Sequence, residues 1–163
     1  HPESYWSFMH RHLFDHVNIN PARINLPDGT NPDADAACAQ YNQIIHSVGG
    51  IDLQLLGLGP NGHIGFNEPG KAFELETHCV DLTEATIEAN KRFFDGNEDL
   101  VPRQAYTMGM QARKVLVVAN GLAKAKAVKA VVSGPVTPEC PGSILQLHPD
   151  CTLVADEEAQ SLL

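Results

Sequence analysis

The chain is short of positive charge: 11 Lys and Arg stand against 20 Asp and Glu, a net charge of -9 over 163 residues. That shortage excludes sequence-independent nucleic-acid binding and attachment to an anionic membrane surface. It leaves room for a small anion, because a helix N-terminus offers backbone donors whatever the global charge. No apolar run approaches the length of a membrane span. The opening residues, HPESYWSFMHRH, lack the apolar core of a secretory signal and also lack an initiator Met. The four cysteines, Cys38, Cys79, Cys140 and Cys151, form no CxxC and read as reduced thiols rather than a disulfide frame. A cytoplasmic protein is expected, and the chain reads as a piece of a longer one. Internal repeats and low-complexity segments are absent. What is present is a 43% hydrophobic, 19% charged composition, enough for one domain, residues 1–163, with a real core.

Pattern places helices over Pro2–Val17 and Asn31–Val48, the second stopped by Gly49-Gly50. A connector broken by Pro21, Pro27 and Gly29 lies between them, with at most a short strand near Ile24. Buried strands are predicted at Ile51–Leu56 and Lys114–Ala119, and further strands at Thr77–Leu82, Ala105–Met110 and Cys151–Ala155. Thr83 caps a helix to about Phe94, Leu122–Val132 is another, Ser143–Leu147 one turn, and Asp156–Leu162 a last short helix. Helices alternating with apolar strands predict an α/β, Rossmann-like doubly wound fold: a parallel sheet with helices on both faces.

The stretch from Ile51 to Gly70, IDLQLLGLGPNGHIGFNEPG, organises the rest. A strand runs into Gly57, Gly59 and Gly62, and then His63 and Asn67-Glu68-Pro69-Gly70 follow. Ligands of such folds sit beyond the carboxyl ends of the strands. The glycines match GxGxxG, but a dinucleotide site needs a helix opening at the third glycine, and the Asn-Glu-Pro-Gly turn forbids a sustained one. His63 has the ring that takes and gives a proton near neutral pH, and a carboxylate beside it would orient that ring. Glu68 is the nearest candidate, and Asn61 is placed to bond the ring as well. His63 and Glu68 would lie roughly 17 Å apart if extended, so the turn must fold back for them to meet. A loop histidine satisfied by backbone, with Glu68 in water, fits these residues equally well. His10, His12 and His16 include an i, i+4 pair that could bind a metal, but no third ligand is placed and surface histidines are the better reading. His148 reads as structural.

The run GLGPNGHIGFNEPG resembles the signature of glucosamine-6-phosphate deaminase. Similar residues recur at His1–Tyr5, Ala89–Phe94, Val101-Pro102, Ala105, Thr107–Gly109 and Leu145–His148, so the likeness spans the chain. Related phosphogluconolactonases lack the Phe-Asn-Glu-Pro. The resemblance implies conversion of D-glucosamine 6-phosphate and water to D-fructose 6-phosphate and ammonia, in N-acetylglucosamine catabolism, with no cofactor and no metal. It implies a phosphosugar as the small-molecule partner and a homo-oligomer as one possible state. It makes His63 the ring-opening acid/base, Glu68 its carboxylate partner and Asn61 the occupant of a position that is Asp in some members. Gly57, Gly59 and Gly62 would form the substrate loop, and Arg92 and Lys124 would hold the phosphate, Lys124 beside free backbone N–H groups at a helix start.

The resemblance also implies a C2 base, an Asp just upstream of the segment matching His1–Tyr5, together with an N-terminal strand, helix and phosphate loop that these residues do not include. An incomplete sheet with an open edge or uncovered apolar surface is therefore expected. Residues that serve allosteric control in some members are matched by His78 and Val80, so no control by N-acetylglucosamine 6-phosphate is expected. The alternatives are a non-catalytic sugar-phosphate-binding module and another phosphosugar isomerase or lactonase on the same sheet.

Overall fold

A computed structural model describes residues 1–163. Its helices are α1 (Tyr5–His12), α2 (Ala34–Ser47), α3 (Glu84–Asn90) and α4 (Ala125–Ser133), and its strands β1 (Leu53–Gly57), β2 (His78–Asp81), β3 (Gln104–Thr107), β4 (Lys114–Ala119) and β5 (Cys151–Ala155). Three strands form a parallel sheet in the order β1-β4-β5, and β2 pairs antiparallel with β3 in a separate ribbon. The fold is α/β with the parallel sheet that the alternation of elements predicts.

Local chemistry sets most boundaries. The Ser4 hydroxyl accepts from Ser7 N–H and starts α1 at Tyr5, so the first helix is shorter than Pro2–Val17; a 3-10 turn, Phe14–His16, completes the segment. Asp33 caps α2 through Ala36 N–H, and Thr83 caps α3 through Thr86 N–H. No strand forms near Ile24, where a 3-10 turn at Pro21–Arg23 stands instead. Residues 156–162, predicted as a helix, form turns instead, with the Asp156 carboxylate accepting from the N–H groups of Gly121 and Ala159.

The core lies against one face of the sheet. Leu56 of β1 and Val115, Val117 and Ala119 of β4 pack with Val128 and Val131 of α4 and with Leu145 from a 3-10 helix, Pro141–Leu147. Each large side chain so buried contributes about 1.5–3 kcal/mol relative to exposure. Leu58 and Ile64, on either side of the glycine-rich turn, enter the same cluster at 4% and 1% exposure. They anchor the loop, and Asn67 and Glu68, the polar residues that follow Ile64, are partly buried beside it.

The opposite face of the sheet is bare. β1 and β4 alternate rather than being buried throughout: Leu53, Leu55 and Val118 are exposed, as is Val154 of β5. The parallel register puts Leu55 beside Leu116, and Gly57, Val118 and Val154 in one row. Helices thus cover one face of these three strands, and the open edge and uncovered apolar surface expected from the sequence are both present. Leu55→Ala is expected to change unfolding free energy by less than about 0.5 kcal/mol, whereas Leu145→Ala should cost about 2–5 kcal/mol. Urea unfolding of both variants checks this, and equal costs would mean the Leu55 face is covered in solution.

Burial has a further consequence at high pH. Desolvation raises the Cys38 thiol, with the neighbouring Cys79 thiol and Asp35 adding to it, and desolvation likewise raises Cys79, Cys151 and the Tyr41 phenol. The fold favours the protonated form of each, so this stability is fully present below the usual values of 9.0 for a thiol and 10.0 for a phenol. It is lost as pH rises through the raised values. Under reducing conditions the thermal midpoint is therefore expected to fall above about pH 9; a midpoint that rose there would contradict this.

Candidate active site

The site is built by the turn that follows β1. Gly59 N–H donates to the His63 carbonyl at 2.8 Å and Gly62 N–H to the Gly59 carbonyl at 3.0 Å, closing the loop on itself. Gly62 takes φ +83°, which favours glycine, and a Cβ there would press on the Cys140 sulfur. Gly59 lies flat against the His63 ring, where a Cβ would overlap Cε1, Nδ1 and Nε2. Gly57 differs: nothing lies within 4 Å of the place a Cβ would occupy, so no contact within the chain demands a glycine there.

The chain then folds back as the pairing of His63 with Glu68 requires. Gly65 adopts φ +59°, and Asn67 N–H donates to the Ile64 carbonyl at 3.0 Å. The Asn67 side-chain amide reaches the carbonyls of Ile64 and Met108 at 2.9 and 2.8 Å, tying the loop to the end of β3. The Thr107 hydroxyl accepts from Phe66 N–H at 3.0 Å. Glu68 Oε2 thereby comes to 3.6 Å from His63 Nδ1, with the Glu68 side chain only 9% exposed. A histidine satisfied by backbone and a glutamate in water, the other reading of the same residues, is not what this chain has.

Asn61 joins the two. Its Oδ1 lies 2.6 Å from His63 Nδ1 and also accepts from His63 N–H at 3.2 Å, while its Nδ2 donates to Glu68 Oε2 at 3.1 Å. With the amide so assigned, His63 Nδ1 is the donor, and a neutral ring keeps its lone pair on Nε2. An amide suits the position because it accepts on one side and donates on the other. A carboxylate there would have no proton to offer Glu68.

Arg92 and Lys124 are neither hydrogen-bonded nor ion-paired to this cluster. Arg92 is exposed, lies 4.7 Å over the Phe93 ring and has no carboxylate partner, unlike its neighbour Lys91, which pairs with Glu88 at 2.6 Å. Lys124 closes a 3-10 turn, Leu122–Lys124, just before α4, and is likewise unpaired. The backbone N–H groups expected to face an anion beside it are already occupied: Gly121 N–H donates to both Asp156 oxygens and Leu122 N–H to Glu158 at 3.3 Å. A phosphate at Lys124 would meet the ammonium group and compete with those carboxylates for the backbone donors. β1 and β4 are parallel neighbours, so the His63 loop and the segment carrying Lys124 both follow the carboxyl ends of their strands, at the same end of the sheet.

Other histidines are engaged elsewhere. His148 Nε2 lies 2.9 Å from the Ala112 carbonyl and its Nδ1 accepts from Asp150 N–H, a structural use. His10 pairs with Asp15 at 2.7 Å.

Residues 1–154 match the family described as glucosamine-6-phosphate isomerases/6-phosphogluconolactonase. The chain belongs to this family. Within it, the chain is 52% identical to glucosamine-6-phosphate deaminase of Halothermothrix orenii, over 99% of this chain and 68% of that protein. It is 49% identical to glucosamine-6-phosphate deaminase 2 of Bacillus subtilis, over 100% of this chain and 68% of that one. Among solved structures, a monomeric glucosamine-6-phosphate deaminase superposes with a TM-score of 0.92 at 42% identity, covering 100% of this chain and 69% of its own. A 6-phosphogluconolactonase of Thermotoga maritima superposes at 0.65 with 20% identity, over 96% of this chain and 68% of that one, which shows a shared fold. No helix is long and apolar enough to cross a membrane.

Proposed function

We propose that this chain carries the ring-opening acid–base group of a glucosamine-6-phosphate deaminase, a hydrolase that converts D-glucosamine 6-phosphate and water to D-fructose 6-phosphate and ammonia. The reading rests on the cluster of Asn61, His63 and Glu68 at the carboxyl end of β1. His63 Nε2 takes the proton of the anomeric hydroxyl and the ring returns one to the ring oxygen, which opens the sugar. Asn61 and Glu68 hold the ring in the tautomer that leaves Nε2 free and stabilise the imidazolium once formed. A base then removes the C2 proton, C1 gains one, and water hydrolyses the resulting C2 imine to the ketone and ammonia. Ring opening, proton transfer, addition of water to the imine and loss of ammonia involve no net oxidation or reduction, so the reading calls for no cofactor. Arg92 and Lys124 hold the phosphate as cations without a carboxylate partner of their own.

In this reading the C2 base comes from upstream of His1. Two contacts support it. The His1 ring stacks on Phe94 at 6.1 Å and the Tyr5 ring meets Phe66 edge-on at 6.2 Å, so the chain's first residues lie beside both the Arg92 segment and the His63 loop. A soluble enzyme of cytoplasmic amino-sugar catabolism is the setting this chemistry fits. The test is ammonia release from glucosamine 6-phosphate by the chain extended to the length of its relatives, with 6-phosphogluconolactone as the competing substrate. Lactone hydrolysis without ammonia release would overturn the proposal in favour of a lactonase.

A further inference from the structure

Glu68 has two carboxylate oxygens, and the reading above uses one of them. Oε2 faces Asn61 Nδ2 at 3.1 Å and His63 Nδ1 at 3.6 Å. Oε1 accepts from the hydroxyl of Thr86, eighteen residues further along the chain. Thr86 stands in the first turn of α3, and its own oxygen accepts from the Thr83 hydroxyl at 3.1 Å. The order of donors is fixed, because an ionised Glu68 can only accept. The Thr86 proton goes to Glu68, and the Thr83 proton goes to Thr86.

Nothing else in the chain occupies that oxygen: Glu68 is hydrogen-bonded by Asn61 and Thr86, with His63 close by. A carboxylate that is 9% exposed cannot replace a lost donor with water freely. Without the Thr86 hydroxyl that oxygen is left unpaired where it is, and the carboxylate regains a donor only by turning away from the cluster. Asn61 then loses the acceptor that sets its amide, and His63 Nδ1 loses a fixed partner. The same bond has a second effect. α3 lies between β2 and β3, which pair only with each other, and it continues into the 3-10 turn Lys91–Phe93 that carries Arg92. Thr86 and Arg92 are about 9 Å apart at the helical rise of 1.5 Å per residue. The hydrogen bond therefore fixes where the Arg92-bearing segment sits relative to His63.

We propose that Thr86 is a positioning residue: its hydroxyl holds the Glu68 carboxylate against Asn61 and His63 and seats the Arg92-bearing segment on the histidine loop. The inference rests on the reading of His63 as the acid–base group for its effect on rate, but its structural part stands by itself. Two measurements separate them. In the first, nitrogen-15 NMR of the His63 ring reads the tautomer in the 163-residue chain without any turnover. Thr86→Val, which keeps the shape and removes the donor, is expected to turn a single Nδ1–H species into a mixture of tautomers, and Thr86→Ser to restore it. An unchanged spectrum in Thr86→Val, or no recovery in Thr86→Ser, would overturn the proposal. In the second, the extended chain is assayed for ammonia release. Thr86→Val is expected to lower kcat by roughly 10–100-fold, as loss of a hydrogen bond to a charged group does, with Thr86→Ser within about threefold of the parent. A Thr86→Val enzyme with unaltered kcat, in a parent that releases ammonia, also overturns it. If no parent chain releases ammonia, the proposed function fails, and the NMR result alone decides the role of Thr86.

Discussion

Replacing Gly59 with alanine is expected to lower kcat for ammonia release by roughly 100-fold or more while leaving the fold intact. The reason is contact, not backbone strain. Gly59 is absent from the positions with positive φ, so alanine fits the backbone there. What the added Cβ meets is the His63 ring, at Cε1, Nδ1 and Nε2. The ring must swing away, and the 2.6 Å contact with Asn61 Oδ1 goes with it. A misplacement of about 1 Å at a reacting group is enough for a loss of about 100-fold, and removal of the ring in His63→Ala sets the outer bound of about 10²–10⁴-fold. Gly57→Ala is the matched control, because nothing lies within 4 Å of its Cβ position. Rates and melting curves of the three variants, made in the extended chain, test the argument. A Gly59→Ala enzyme as fast as the parent would show that the ring moves off Gly59 when substrate binds.

Extension of the chain upstream is expected to have the second large effect. The 163 residues should release ammonia at the background rate, and a chain that includes the upstream Asp-Glu-Tyr expected from the family should exceed it by at least about 10²–10⁴-fold, the usual worth of a positioned base. The carboxylates inside the chain explain the expectation. Both oxygens of Glu68 are engaged by Asn61 and Thr86. Asp28 accepts from the hydroxyl and the N–H of Thr30, first the hydroxyl and then the N–H, and these hold its carboxyl below the usual range. A carboxylate held in its charged form by such donors is a weaker base toward carbon. Equal rates from the two chains would place the base within these residues, with Glu68 the first to be tested by Glu68→Gln.

The amide at position 61 gains meaning from the geometry. As a sequence feature, Asn where some family members have Asp puts the charge on His63 in question. In the structure the amide bridges two groups that a carboxylate could not bridge in the same way, accepting from His63 and donating to Glu68. The negative charge of the cluster then resides on Glu68 alone, and the Thr86 hydroxyl becomes more important for holding it in place.

The sequence by itself determined what local rules govern. Short runs rich in apolar and β-branched residues, bounded by polar or turn residues, placed β4 at Lys114–Ala119 and β5 at Cys151–Ala155 with the bounds that are observed. A hydroxyl three residues before a helix N–H placed the Thr83 cap. The Gly-Pro-Asn-Gly-His run placed the candidate site, and the order of helices and strands placed the α/β class. Tertiary structure decided whatever depends on residues far apart in sequence. Whether Glu68 reaches His63 depended on Asn67 and Gly65 turning the chain and on Thr107 and Met108 holding the turn, some forty residues away. Thr86 carried no signal beyond that of a residue in a capped first turn, because its partner is on another loop. Asp156 and Glu158 lie in a segment that reads as a helix, and only the folded chain brings their carboxylates to the N–H groups before α4. Hydrophobicity likewise marked β1 as buried, although only alternate residues found anything to pack against. Periodicity and capping act over a few residues and can be read from one chain, whereas a hydrogen bond between loops depends on where the whole sheet carries them.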